Sequence, residues 1–332
     1  MTRGAAALAA RLERHQVAVY LAAMAAGAIA GWTVPAAGPA LEHAINPVLG
    51  ALLYVTFLQV PAADLVRSFR EGRFLAATLA VNFAVVPLVV AALFLLLPAD
   101  RAVRLGVLLV LLTPCVDYVI VFCRLAGGSG RRLLAATPLL LVSQMALLPL
   151  FLLLFLGPDL ADVVEFGPFV RAFVVLILIP LTAAWLTQAW AARGPAGRAV
   201  ATGAGTTMVP LMAGTLATVV ASQVPALGGD VSAVLVVVPF YLAFLVVMPF
   251  AGLGMARLFR LDARAGRAVV FSGATRNSLV VLPLALALPD ALAVAALVVV
   301  TQTLVEVVGM VLYVRVIPRL LPLAASPRDE QT

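Results

Sequence analysis

Asp117, Arg276 and Glu306 stand inside apolar stretches long enough to cross a bilayer, and Cys115 lies two positions before the first of them. An ionisable group in hydrocarbon costs about 2.5–3.5 kcal/mol even on insertion scales, so three left unpaired would cost roughly 8–10 kcal/mol. Such residues normally face a protein-lined cavity and mark a solute or ion route. Glu306, a lone mid-membrane carboxylate, can take up and release a proton. Asp117 and Arg276, 159 positions apart, can neutralise each other as an ion pair, either purely structural or gating the route. Cys115 is either a soft ligand or an inert small core residue. The other cysteine, Cys123, reads as structural, and the two give no disulfide framework.

These residues need elements to hold them. The 332-residue chain is 64% hydrophobic and only 11% charged, where soluble domains carry about 25% charged residues. That composition predicts an all-α integral membrane protein. Hydropathy predicts ten transmembrane helices, near 17–34, 44–62, 74–97, 103–124, 133–157, 168–190, 200–223, 232–255, 268–288 and 291–315. All 22 basic residues are Arg. With the N-terminus in the cytoplasm, 18 of them fall in inside segments and only Arg101, Arg104 and Arg171 outside. The positive-inside rule then puts both termini in the cytoplasm of a multi-pass plasma-membrane protein. The same distribution explains the net charge of +7 without nucleic acid.

The chain also repeats itself. Gln59-Val60-Pro61-Ala62 ends span two and Gln223-Val224-Pro225-Ala226 ends span seven, 164 positions later. Pro47 and Pro210 precede them, Pro87 answers Pro249, and Ser143-Gln144 answers Thr301-Gln302. Five spans per half make the second half inverted: residues 1–157 form the first repeat and 158–332 the second. Inverted repeats carry transport sites near the midplane on broken helices. The expected breaks are in span four, at Pro114 within Thr113-Pro114-Cys115-Val116-Asp117-Tyr118, and in span nine, at Gly273 and Pro283 around Ser272-Gly273-Ala274-Thr275-Arg276-Asn277-Ser278. Pro114 removes a backbone donor, and the small polar run loosens its helix. At 1.5 Å per residue, Cys115, Arg276 and Glu306 lie roughly 18, 12 and 22 Å into their spans, all in the middle third of the bilayer core. Asp117 and Arg276 are therefore expected to meet where the two broken helices cross.

Other classes find no support. There is no His-Glu-x-x-His, no intramembrane Gly-x-Ser-x-Gly and no paired catalytic carboxylates, so no enzyme and no catalytic residue is expected. His15 and His43 lie outside the spans, so neither a metal site nor any other cofactor is expected. Gly127-Gly128-Ser129-Gly130 lacks the Lys of a phosphate loop and reads as a flexible turn. Met1 to Gln16 reads as an amphipathic surface helix, with a signal peptide as the alternative. No linker is long enough for a separate soluble domain.

At Thr113-Pro114-Cys115, at the span-nine break and at Glu306, the chain resembles the arsenical-resistance permeases, the arsenite-efflux branch of the bile acid:sodium symporter superfamily. The stretches 277–284 and 300–306 carry the likeness further. The resemblance implies a panel of helices one, two, six and seven beside a core of three to five and eight to ten. It implies that Cys115 and Glu306 are required for transport. Arsenite is a neutral, thiophilic trihydroxide, so one thiol at Cys115 would capture it reversibly, with Thr113, Asn277 and Ser278 around it. Exchange for a proton on Glu306 would drive export of arsenite or antimonite. Sodium-coupled members carry a carboxylate near the span-nine break. Here Arg276 stands instead, which points to protons rather than sodium. The alternative is an organic-anion transporter that holds a carboxylate on Arg276. The expected partners are the lipid bilayer, the small metalloid and protons, with no nucleic acid, in a monomer or a homo-oligomer.

Overall fold

The computed structural model describes residues 11–59, 71–116, 118–157, 167, 171, 174–225, 231–286 and 288–323. Among them every regular element is a helix, and the strand-like pairing is one isolated bridge. The helices are α1 Gln16–Thr33, α2 Gly38–Leu58, α3 Gly72–Phe94, α4 Arg101–Leu111, α5 Val119–Leu125, α6 Gly130–Leu156, α7 Ile179–Arg193, α8 Pro195–Gly205, α9 Met208–Gln223, α10 Val231–Leu258, α11 Ala263–Ala274, α12 Ser278–Leu286 and α13 Val294–Leu320. Five of them (α2 with the turn before it, α3, α6, α10 and α13) are long and apolar enough to cross a membrane, and the bent pair α8–α9 makes a sixth. This is an all-α membrane protein. Large apolar side chains such as Leu88, Leu154, Leu186 and Phe250 point outward, as a hydrocarbon solvent requires. Buried threonines turn their hydroxyls back on the carbonyl four residues earlier, as Thr56, Thr78, Thr137 and Thr301 do.

The local sequence explains the irregularities. Two π-bulges, at 81–85 and 174–178, each end just before a proline, Pro87 and Pro180. The proline ring would clash with the carbonyl four residues back, and the wider turn relieves it. α8 and α9 meet at 42°. There Thr206 and Thr207 hydroxyls take the carbonyls of Gly203 and Ala204, each at 2.7 Å, and the helix does not continue. That bend interrupts the single span expected over 200–223.

α1 and α2 pack on α9, and α7 packs on α2. The α1–α9 approach is close: a Cβ on Gly27 would meet the Ala217 carbonyl oxygen at 2.5 Å, and one on Gly31 the Ala221 oxygen at 2.6 Å. Small residues four apart let helices touch backbone to backbone in lipid. Separately, α10 packs on α11 and α13, α13 on α4 and α12, and α11 on α3, α5 and α6. Fewer contacts, α12 with α2 and α9 with α13, join the two sets. α4 and α11 start alike: Asp100 accepts from the Val103 amide at 2.9 Å and Asp262 from the Ala265 amide at 2.8 Å, side-chain caps 162 positions apart.

Candidate functional site

α4 ends at Leu111 and α5 begins at Val119; α11 ends at Ala274 and α12 begins at Ser278. Pro114 cannot donate to a helix and disfavours helical backbone at the residue before it. Thr275, with φ −105° and ψ 141°, is already extended. The two extended breaks cross as an antiparallel bridge between Pro114 and Arg276. The Cys115 amide donates to the Thr275 carbonyl at 3.2 Å, and the Asn277 amide to the Thr113 carbonyl at 2.8 Å. Each broken helix thereby satisfies backbone groups that the other has freed, which lipid would leave unmet. Asn277 Oδ1 then accepts from the Val280 amide at 3.1 Å and starts α12. Pro283 lies inside α12, not at a break. The crossing already supplies the interruption upstream, and the helix restarts from its Asn277 cap before the proline is reached. Gly273 is the penultimate residue of α11, where a Cβ would meet Val81 Cγ2 at 2.7 Å.

Glu306, on α13, is wholly buried and faces the crossing. Its Oε1 accepts from the Tyr118 hydroxyl at 2.6 Å. Its Oε2 accepts from the Arg276 amide at 2.7 Å and from Gln302 Nε2. Three donors converge on one carboxylate. One peptide unit therefore links two predicted site residues: Thr275 C=O receives the Cys115 amide, and the adjoining Arg276 N–H reaches Glu306.

The Arg276 side chain turns the other way and is also fully buried. Nη1 donates to the Leu111 carbonyl at 3.2 Å. Nη2 lies 2.8 Å from each of Asn82 Oδ1, the Ser272 carbonyl and the Gly273 carbonyl. Nε has no partner among the described residues, and the guanidinium carbon lies over the Phe244 ring, 5.5 Å from its centroid. The carbonyls of Leu111, Ser272 and Gly273 are C-terminal ends of α4 and α11, where the helix dipole is negative. Asn82 is fixed from both ends, since its Nδ2 donates to the Thr78 carbonyl at 2.9 Å and to Ser272 Oγ at 2.8 Å. Asp117, the expected ion partner of Arg276, lies outside the described residues.

Cys115 is completely buried at the crossing. The Thr113 hydroxyl donates to the Leu109 carbonyl at 2.7 Å, so its proton is already committed. Ser278 Oγ accepts from Thr303 Oγ1 at 2.5 Å. Asn277 Nδ2, Gln302 Oε1 and both amide atoms of Gln144 are buried without a partner among the described residues. Sequence reasoning gave no role to Asn82, Tyr118 or Gln302. The available signal for Asn82 was an amide alone in an apolar run, five residues before Pro87. Among the described residues no group of three His, Cys, Asp or Glu side chains could hold a metal ion.

Apolar helices packed around a wholly buried polar crossing define a membrane transport protein. The chain belongs to the sodium bile acid symporter family, which matches residues 46–226. That stretch contains the first break with Thr113, Pro114 and Cys115, while Arg276 and Glu306 lie beyond it. Members of the family are transporters. Comparison with curated proteins finds no match.

Proposed function

We propose that the chain is a secondary active transporter that exports arsenite, and antimonite by the same chemistry, in exchange for protons. The observation that carries this reading is the single Thr275–Arg276 peptide joining Cys115 to Glu306. A soft thiol and a proton-carrying carboxylate on one rigid connection can exchange occupancy. Protonating Glu306 removes its charge, weakens the acceptor of the Arg276 N–H and so disturbs the peptide that holds Cys115; capture of the metalloid at Cys115 acts back through the same peptide. A thiol suits a neutral, thiophilic solute. Supporting polar atoms are at hand in Asn277 Nδ2, which has no partner among the described residues, and in Ser278.

The organic-anion alternative needs Arg276 to offer N–H groups to a carboxylate. Both of its terminal nitrogens are already held by protein oxygens, so we do not favour it.

The architecture that goes with this reading is ten spans in two inverted halves, residues 1–157 and 158–332, in the plasma membrane with both termini cytoplasmic. Support comes from the matched Asp100 and Asp262 caps and from the crosswise contacts of α2 and α9. Gln59 at the end of α2 reaches Met208 at the start of α9, and Gln223 at the end of α9 donates to Glu42 near the start of α2 at 3.1 Å. The set containing α1, α2, α7, α8 and α9 is the panel, and the set from α3 to α6 and from α10 to α13 is the core.

Arsenite accumulation in cells lacking their own efflux system tests the function. Wild type should lower intracellular arsenite, and Cys115→Ser and Glu306→Gln should not. Unchanged arsenite with well-expressed wild type would remove the efflux reading.

A further inference from the structure

We propose that Tyr118 is a positioning residue that reverses its hydrogen bonding when Glu306 takes a proton: its hydroxyl donates to the charged carboxylate, and turns to the Arg276 carbonyl once Glu306 is protonated, so that the crossing is handed from α13 to the start of α5. The inference rests on the proposed function only in taking Glu306 as the proton carrier.

Three groups donate to Glu306, and they differ in one respect. The Arg276 amide and the Gln302 NH2, both on Oε2, can only donate, whereas a phenol donates and accepts. A carboxyl proton on Oε2 would face N–H groups that cannot receive it. On Oε1 it meets the Tyr118 oxygen, 2.6 Å away. Reversal by Gln302 would require its whole amide to turn over, while a hydroxyl needs only a rotation about its C–O bond. The proton therefore settles on Oε1 and donates to Tyr118. Tyr118 must then place its own proton elsewhere, because a buried hydroxyl without an acceptor is costly. The Arg276 carbonyl lies 3.4 Å away, long for an O–H···O bond while Glu306 is charged and within reach of a turned hydroxyl. The bridge explains why that carbonyl is on offer. Its bonds run through the Thr275 carbonyl and the Asn277 amide, which flank Arg276, so the Arg276 N–H and C=O point away from Pro114. One reaches Glu306 and the other faces Tyr118. Proton arrival thus weakens the hold of α13 on the Arg276 N–H and creates a hold of α5 on its C=O. The proton taken up stays on Glu306, Tyr118 keeps its own, and only two bonds change direction.

The neighbouring ionisable groups have other partners or lie further off. The Arg276 guanidinium turns to Leu111, Asn82, Ser272 and Gly273. Tyr313, on α13, donates to the Leu245 carbonyl, and Tyr241, on α10, to the Val298 carbonyl at 2.9 Å. Cys115 sits at the crossing through its amide. α9 and α12 carry no ionisable side chain, and those of α4, α5, α10 and α11 (Arg101, Arg104, Cys123, Arg124, Arg257, Arg264 and Arg267) belong to the helix ends away from the crossing. Asp117 lies outside the described residues.

The test reads the bonds and no solute, so a chain that moves no arsenite can still pass it. Infrared difference spectra between alkaline and acidic buffer are recorded on the purified full chain carrying ring-13C tyrosine, and again with carbonyl-13C arginine, to single out those bands. On acidification wild type should gain a protonated-carboxyl band and, over the same pH interval, a shifted tyrosine C–O band and an arginine carbonyl band moved to lower frequency. All three changes should be lost in Glu306→Gln. Tyr118→Phe should keep the carboxyl band, at higher frequency because its proton has lost its acceptor, and lose both shifts. A carboxyl band that titrates with no tyrosine shift would overturn the proposal. So would tyrosine and arginine shifts that survive in Glu306→Gln, or a wild type that shows no such carboxyl band at any pH at which it stays folded. Should either variant fail to fold, the wild-type spectra decide: three changes with one midpoint support the switch, and separate midpoints end it.

Discussion

Tyr118 donates to one oxygen of Glu306 while a backbone amide and Gln302 share the other, so each donor has a distinct task. Removing the hydroxyl in Tyr118→Phe leaves a buried carboxylate oxygen short of a partner. The expected loss is about 1–3 kcal/mol of stability, read as a lower thermal midpoint of the purified protein. A midpoint equal to wild type would mean that Glu306 does not depend on this bond. At this scale the sequence exposes groups that are expensive in lipid whatever their surroundings. Arg276 and Glu306 stand out for that reason and Cys115 for its place directly after Pro114, and all three lie at the crossing. Asn82, Tyr118 and Gln302 do not stand out, because a neutral amide or phenol can sit in a span at modest cost. Their value comes from partners 190, 188 and 4 positions away.

Elements were legible where one residue forbids a helix and illegible where several weak preferences combine. Pro114 marks its break directly. The α8–α9 bend comes from two glycines and two threonines, none of which is decisive alone, and a continuous apolar run conceals it. Pro283 misleads because a proline breaks a helix only where the helix would otherwise continue through it, and Asn277 has already set a new start. Two consequences concern elements. Gly31→Leu should force α1 away from the Ala221 carbonyl of α9 and lower stability by about 1–3 kcal/mol, visible as a lower thermal midpoint. Gly50→Leu, where a Cβ meets nothing within 4 Å, is the control and should behave as wild type. The other consequence lies where α3, α6 and α11 begin together. Arg132 Nε lies 2.5 Å from Glu71 and its Nη1 lies 2.6 Å from Asp262. Burial alone would push the Asp262 carboxyl up, but the hydrogen bonds from Arg132 and the Ala265 amide, with the Arg132 charge, hold it below the ordinary carboxylate value. A depressed folded value means that the ionised group stabilises above the unfolded value of about 3.9 and that this contribution fades as pH falls through the folded one. The stability gap between wild type and Asp262→Asn should therefore be flat from about pH 7 to pH 5 and close below about pH 4. A gap independent of pH would show that the carboxylate contributes only its shape as a cap.

The two sets of helices differ in what they do for the whole molecule. Contacts within each set are backbone-close, as at Gly27 and Gly31, or polar and cross-linked, as around Arg276. The contacts between the sets are fewer and lie where α12 meets α2 and α9 meets α13. That division suits one rigid body carrying the crossing past another, as the proposed inverted halves would require. It depends on orientation, because inverted halves put the first turn of α3 and the loop before α4 on opposite sides of the membrane. The arginines flanking these segments divide accordingly. Arg67, Arg70 and Arg73 cluster at one, while Arg101 and Arg104, at the other, belong to the three expected outside. Gly72→Cys and Ala99→Cys probe the two ends of α3, in a background where Cys115 and Cys123 are replaced by Ala. Both positions are exposed, and a side chain at 72 meets nothing within 4 Å. In intact cells a membrane-impermeant maleimide should label the cysteine at 99 and not the one at 72. After permeabilisation both should react. Labelling of 72 from outside would reverse the orientation, and equal labelling of both in intact cells would mean that α3 does not cross the bilayer. The second outcome would dissolve the inverted repeat, because five crossings in the first half are what turn the second half over.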